Sequence, residues 1–148
     1  MRADDWDDGA ALVTRMLRIW QAGRALGENP LPRMHEVSAP LVAAPEFVPA
    51  CDSLFALTEA VLGRSLRPGR CCSRRLSRDE AAMLIMLQHA PEAGAVRTSA
   101  AVPHGLPAAL RWAAFAVMRA LGAEGAAAVE PPPLRCPFGG GPLLERAA

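Results

Sequence analysis

The sequence predicts an all-α protein, and its apolar spacing, composition and length support that prediction. Apolar residues recur at helical spacing in four segments that are bounded by caps, prolines or glycines. The composition, 51% hydrophobic and 21% charged, is typical of a chain that buries a core. At 148 residues the length fits one domain. We therefore expect an irregular bundle of about four helices over residues 1–148, with a proline-rich arm at 28–49 and an extended tail at 130–148.

The first helix is expected to begin after a cap at Asp7 and Asp8 and to end at Leu26, because Gly27 follows. Carboxylates are favoured near the positive end of a helix dipole, which explains the acidic N-terminus without a functional role. The face expected to be buried consists of Leu12, Met16, Ile19, Trp20, Gly23 and Leu26.

The proline-rich arm follows the first helix. Five prolines between Glu28 and Pro49 argue against a continuous helix, so we expect an extended segment that lies over the core, as a lid or a binding arm. Such an irregular segment is a place to look for partner contacts. The second helix then begins near Pro49 and ends at Gly63, with Cys51 facing the core.

The third and fourth helices have the clearest boundary signals. Ser77 and Glu80 have the spacing of a capping box, directly before a run that is apolar on every face. We therefore expect the helix from Ser77 to about His89 to be the central, buried helix of the bundle. Pro107 opens a fourth helix, expected over residues 108–121 and stopped by glycine.

The sequence also predicts the cellular compartment of the protein. No uncharged stretch reaches 18 residues, and the acidic N-terminus is unlike a secretory signal, so we expect a cytoplasmic protein with reduced cysteines. Arginine without lysine, together with abundant alanine, proline and glycine, indicates a GC-rich bacterial genome. The net charge of +1 predicts no general attraction to nucleic acid or membranes.

Residues 64–78, hereafter the arginine loop, are the most distinctive segment. The loop contains six arginines and no acidic residue. One interpretation is that it binds an anion or a partner; the other is a solvated loop whose arginines pair with Asp79, Glu80 or the acidic N-terminus. The candidate binding residues are Arg67, Arg70, Arg74, Arg75 and Arg78.

The cysteines suggest a second chemistry. Cys71 and Cys72 lie among the arginines, which stabilise thiolates and would make both thiols reactive toward oxidants. A disulfide between adjacent cysteines would be strained and easily reduced. Zinc or another thiophilic metal is an alternative, although the spacing is a poor match to structural zinc sites. The other alternative is that the cysteines bind no metal, with two of the four thiols buried and two exposed. The candidate metal or redox residues are Cys51, Cys71, Cys72 and Cys136, with His35, His89 and His104 as substitute ligands.

Enzyme motifs do not stand out in the sequence. It has no phosphate-binding glycine loop, paired zinc histidines, dinucleotide fingerprint or recognisable nucleophile with its base. A helix-turn-helix is disfavoured by the long connection between the second and third helices. We therefore expect a non-enzymatic regulatory or adaptor protein that binds a protein partner. An arginine-mediated nucleic-acid-binding protein is the alternative, and a small enzyme of unknown class is a third choice. A second copy of the chain, in a homo-oligomer, is a further candidate partner.

The segment from Gly69 to Glu80, which runs into an apolar helix, resembles an uncharacterised family of small helical bacterial proteins. That family has a cysteine cluster just before such a helix, and the resemblance is strongest over residues 54–87. Here Ser73 and Arg74 occupy the places of a third cysteine and a proline, so the resemblance does not imply a shared metal site. It implies a helical fold and no particular activity.

Overall fold

The computed structural model describes residues 3–70, 73, 75–90 and 106–122, and within these ranges the chain is helical, without strands. The all-α prediction is thereby confirmed. The predicted extended tail at 130–148 lies outside the described residues. The helices are α1 at Ala3–Ala25, α2 at Leu31–Ser38, α3 at Phe47–Leu62, α4 at Arg78–Gln88 and α5 at Leu106–Ala120.

The C-terminal ends of α1 and α3 follow the sequence signals closely. Gly27 and Gly63 terminate α1 and α3 with positive φ angles of 71° and 64°, a conformation that residues with a Cβ rarely adopt. The predicted start of α1 is wrong, because the helix begins at Ala3, before the proposed cap at Asp7 and Asp8. Acidic residues are favourable inside a first helical turn as well as before it.

The proline-rich arm contains a helix, so the prediction of an extended segment is wrong for part of it. Helix α2 places Pro30 at its N-cap and a second proline in its first turn, where a missing N–H leaves no hydrogen bond unmade. Met34 on α2 is fully buried and attaches this helix to the core. The arm is therefore partly a packed element of the bundle.

The core is centred on α3, which packs most extensively against α5 and also contacts α1 and α2. Trp20 of α1 and Phe55 of α3 meet edge to face with ring centroids 5.5 Å apart. Cys51 also faces this core, as the sequence predicts. The largest fully buried apolar side chains are Trp20, Phe47, Phe55, Met16, Leu17, Met34, Leu54, Leu66, Leu87, Val13 and Val48.

The prediction that α4 is the central buried helix is wrong. Only Met83 and Leu87 of its apolar side chains are buried, and Ile85 is 56% exposed. Helix α4 packs against α5 and α1, which leaves Leu84 and Met86 only partly buried against the core. Leu26, expected in the buried face of α1, lies beyond the helix end and is exposed. None of the described helices combines the length and apolarity needed to cross a membrane.

Candidate functional site

The arginine loop leaves α3 along a path fixed by Leu66. This side chain is buried, and the backbone N–H of Leu66 donates to Glu59 Oε1 at 2.8 Å. The carbonyl oxygen of Leu66 accepts from Gln21 Nε2 at 3.1 Å. Since Glu59 belongs to α3 and Gln21 to α1, two helices hold the first part of the loop.

Asp79, in the first turn of α4, holds the loop from its other end. Its carboxylate accepts two hydrogen bonds from the Arg64 guanidinium, at 2.7 and 2.8 Å, and one from the Arg67 N–H at 2.8 Å. The hydrogen bond from Arg64, aided by the Arg67 N–H, lowers the pKa of Asp79 to about 2. Among the described loop arginines, Arg64 is therefore the one whose side chain pairs with Asp79.

Glu80 is a charged side chain buried at the base of the loop. The capping box predicted from the sequence is present, since Ser77 Oγ accepts from the Glu80 N–H and the Ser77 N–H donates to Glu80 Oε2 at 2.7 Å. Glu80 Oε1 also accepts from the Gly69 N–H at 3.0 Å. One carboxylate therefore joins the middle of the loop to the start of α4.

Arg18 of α1 completes this network. Its Nε donates to Glu80 Oε1 at 2.7 Å and its Nη2 to Glu80 Oε2 at 3.1 Å, which is a bidentate ion pair. Burial by itself raises the pKa of Glu80, but the hydrogen bonds from Arg18, Ser77 and Gly69 outweigh it and lower the pKa below its ordinary value. Glu80 therefore remains a carboxylate although it is enclosed.

Arg18 also reaches the far side of the loop. Its Nη1 donates to the Ser73 carbonyl at 2.8 Å, and its Nη2 lies 3.5 Å from the Arg75 carbonyl. Gly69 passes so close that an added Cβ would lie 3.1 Å from Arg18 Nη2 and 3.2 Å from Glu80 Oε2. The ion pair of Arg18 and Glu80 is thus the structural centre of the arginine loop.

Four candidate arginines of the loop have exposed side chains: Arg67, Arg70, Arg75 and Arg78. Their guanidinium groups form no ion pair or hydrogen bond within the described part of the chain. The neighbouring carboxylates of Asp79 and Glu80 are already bonded to other donors. The loop therefore presents four guanidinium groups that no described carboxylate contacts, although the charge of Arg67 acts on Asp79 from a greater distance. Arg74, the fifth candidate, lies outside the described residues.

The cysteine candidates are only partly placed. Cys51 is fully buried on α3, and burial, with a smaller effect of the Asp52 charge, strongly raises the pKa of its thiol. It is therefore a protonated core residue at neutral pH. Cys71, Cys72 and Cys136 lie outside the described residues, as does His104. Across the ranges that are described, no three His, Cys, Asp or Glu side chains come together as a group that could hold a metal ion.

Sequence reasoning missed several residues of this site. It found the capping role of Glu80 but not its burial or its pairing with Arg18, which is 62 positions away. The contributions of Gln21 and Glu59 were also missed. None of these residues has a distinctive local pattern, because each contacts the loop from another helix. A glutamate at the third position of a helix is explained fully by capping, so its local pattern does not indicate a second role.

Comparison with known proteins adds no relative: no family model matches this chain, and no curated protein or solved structure is significantly similar to it. The resemblance to small helical bacterial proteins with a cysteine cluster is not supported by these comparisons. Functional inference therefore depends on the geometry of the site.

Proposed function

We propose that this chain is a non-enzymatic regulatory or adaptor protein whose arginine loop binds an acidic surface of a partner protein. The observation that supports the proposal is the set of four exposed guanidinium groups without a described carboxylate partner. Arginine is well suited to such contacts, because its planar fork of donors matches a carboxylate in two parallel hydrogen bonds.

The attachment of the loop backbone supports the same proposal. Hydrogen bonds to Glu80, Asp79 and Arg18 hold Gly69, Arg67 and Ser73 in place before any partner binds. A surface that is already ordered loses less conformational entropy on binding, so a larger part of the contact energy contributes to affinity.

The cysteine pair gives this proposal a regulatory part. Cys71 and Cys72 are flanked in sequence by Arg70 and, after one serine, Arg74, so their thiols are expected to be reactive. Oxidation of this pair, or binding of zinc or another thiophilic metal, would change the surface that the partner contacts. Cys51 is buried with a raised thiol pKa, so it is not the reactive thiol in this proposal.

The test uses two variants that lose the same charge. Arg70, Arg75 and Arg78 are changed to glutamine in the loop variant, and Arg15, Arg111 and Arg119, all exposed, are changed to glutamine in the control. Each is titrated into a fluorescent peptide of twelve glutamates, followed by anisotropy. We expect the loop variant to bind at least about tenfold more weakly, since three contacts of about 0.5 kcal/mol each are lost, and the control to match the wild type.

A DNA duplex of twenty base pairs serves as the competing probe. Binding to a partner protein predicts that the duplex binds no better than the acidic peptide. Tighter binding of the duplex, falling steeply between 50 and 200 mM salt and lost in the loop variant, would favour the nucleic-acid alternative. Equal weakening in the loop and control variants would show that net charge alone is responsible, and it would overturn the proposal.

The regulatory part has a separate test. Peptide affinity is measured after reduction, after mild oxidation and in the presence of zinc, for the wild type and for the double variant Cys71→Ser/Cys72→Ser. We expect oxidation or zinc to change the affinity of the wild type only. If both proteins respond alike, or neither responds, the regulatory part is wrong while the binding part is unaffected.

A further inference from the structure

A second surface feature is the groove between α1 and α3 beside the start of α2, which shares Glu59 with the attachment of Leu66 in the arginine loop. This groove has a volume of about 390 Å³. Asp52, Ala56 and Glu59 line it from α3, at intervals of four and three residues that place them on one helix face. Trp20 and Arg24 line it from α1, one helical turn apart. Leu31 of α2 contributes an apolar side chain.

The groove already binds a guanidinium group, that of Arg24. The Arg24 Cζ lies 4.2 Å from the centroid of the Trp20 ring, and its Nη1 donates to Glu59 Oε2 at 2.6 Å. An aromatic face and a carboxylate are the two elements that recognise a guanidinium. The Arg24 side chain is nevertheless 45% exposed, so it can turn into solvent, which uncovers the face of the otherwise buried Trp20 ring for a ligand.

Asp52 supplies an acceptor that Arg24 does not use. Its Oδ1 accepts from Trp20 Nε1 at 2.7 Å, which orients the carboxylate. Its Oδ2 accepts no hydrogen bond from any residue that the structure describes. With one guanidinium and two carboxylates, the groove has a formal charge of −1, which becomes −2 when Arg24 turns outward. The groove thus favours a cation.

We propose that this groove binds the guanidinium group of an external ligand, which replaces Arg24 between the Trp20 ring and the carboxylates of Asp52 and Glu59. Arg24 then acts as an internal competitor that occupies the site until the ligand arrives. A guanidinium fits better than an ammonium, because it is planar, stacks on an indole and offers several donors to carboxylate oxygens at the edge of the ring. The small side chain of Ala56 leaves space for the rest of the ligand.

The probe is L-arginine amide, titrated into the full chain by calorimetry, and the control is L-citrulline amide, which has nearly the same shape and the same α-amino group but an uncharged ureido group in place of the guanidinium. We expect arginine amide to bind and citrulline amide to bind at least about tenfold more weakly, since a charge-assisted hydrogen bond is replaced by a neutral one. A Gly-Gly-Arg-Gly-Gly peptide distinguishes the source of the group. Binding of the amide indicates a small molecule, and binding of the peptide alone indicates a protein segment.

Variants of the groove residues are expected to change the affinity for the arginine probe in opposite directions. Arg24→Ala should tighten binding of the arginine probe several-fold, because the internal competitor is removed, whereas Asp52→Asn should weaken it. Ala56→Leu should block the groove, and Ala60→Leu, at an exposed position of the same helix outside the groove, is its matched control. Thermal unfolding shows that each variant is folded.

Three results would overturn this proposal. The first is the absence of binding of both arginine probes to the wild type and to Arg24→Ala. The second is equal binding of the arginine and citrulline amides. The third is binding that Ala56→Leu leaves intact, or that Arg24→Ala does not strengthen. None of these outcomes depends on the arginine loop, so the two proposals stand or fall separately.

Discussion

The core around α3 and the arginine loop are held by different forces. Around α3, the buried side chains are almost all apolar, as at Leu54 and Phe55. In the loop, Leu66 is the one described apolar side chain that is buried, and carboxylates and guanidiniums provide the other attachments. Apolar burial is insensitive to protonation, whereas a buried carboxylate stabilises its partners only while it is charged. Protonation or replacement of these carboxylates should therefore weaken the attachment of the loop while the core stays folded.

The largest effect is expected in the core. Phe55→Ala removes a fully buried ring that meets Trp20, and it should lower the free energy of unfolding by about 3–5 kcal/mol. The measurement is chemical denaturation followed by far-ultraviolet circular dichroism. Leu62→Ala, at a half-exposed position of the same helix, is the control and should cost much less. Similar losses in both variants would contradict the position of the core.

The next effect tests the centre of the loop. Glu80→Gln keeps the size of the side chain but leaves the Arg18 guanidinium largely buried without its counter-charge, and it should cost about 3 kcal/mol or more. Amide hydrogen exchange should show faster exchange at Gly69 and Ser77, whose N–H groups bond the Glu80 carboxylate. Exchange at core residues such as Leu54 should change in proportion to global stability only. If Gly69 stays as protected as in the wild type, Glu80 is not the attachment point.

The third effect is a dependence on pH. Both Asp79 and Glu80 have pKa values below their ordinary range in the folded protein. Their stabilising contribution is therefore complete above the unfolded pKa values, near 4, and it is lost as the pH falls toward about 2, the folded pKa of Asp79.

Hydrogen exchange at pH 7, 4 and 2.5 checks this expectation. The loop amides that bond Asp79 and Glu80 should lose protection at the lowest pH before the core helices do. Asp79→Asn, which cannot ionise, is the matched variant, and its stability should fall less steeply over the same interval. Identical pH profiles for the wild type and this variant would argue against the lowered pKa of Asp79.

The smallest effect concerns the helix cap alone. Ser77→Ala removes the hydroxyl that accepts from the Glu80 N–H, and it should cost about 1 kcal/mol. Since the Ser77 N–H still donates to the Glu80 carboxylate, the loop should stay attached. Thermal unfolding gives the cost, and hydrogen exchange shows whether loop protection is kept. A loss as large as that of Glu80→Gln would mean that the hydroxyl, rather than the carboxylate, holds the loop.

The sequence by itself determined the all-α class and the helix ends that have a capping box or a terminal glycine, whereas α2 and the start of α1 were not predicted. Gly63 and the pair of Ser77 and Glu80 were recognised correctly because a left-handed residue and a capping box involve neighbours within four positions. The position of Cys51 in the core was also predicted correctly, since it follows from helical periodicity. Signals of this kind act over one turn of helix and need no knowledge of the fold.

Only the tertiary structure decided which faces are covered and which charges meet. Helix α4 is apolar on every side, yet packing leaves Ile85 exposed, which periodicity cannot reveal. The same packing brings Arg18 to Glu80 and Arg24 to Glu59, pairs separated by 62 and 35 residues. A charged residue gives no local sign of its distant partner, because the energy of such a pair depends on burial and distance, which exist only after the helices have packed.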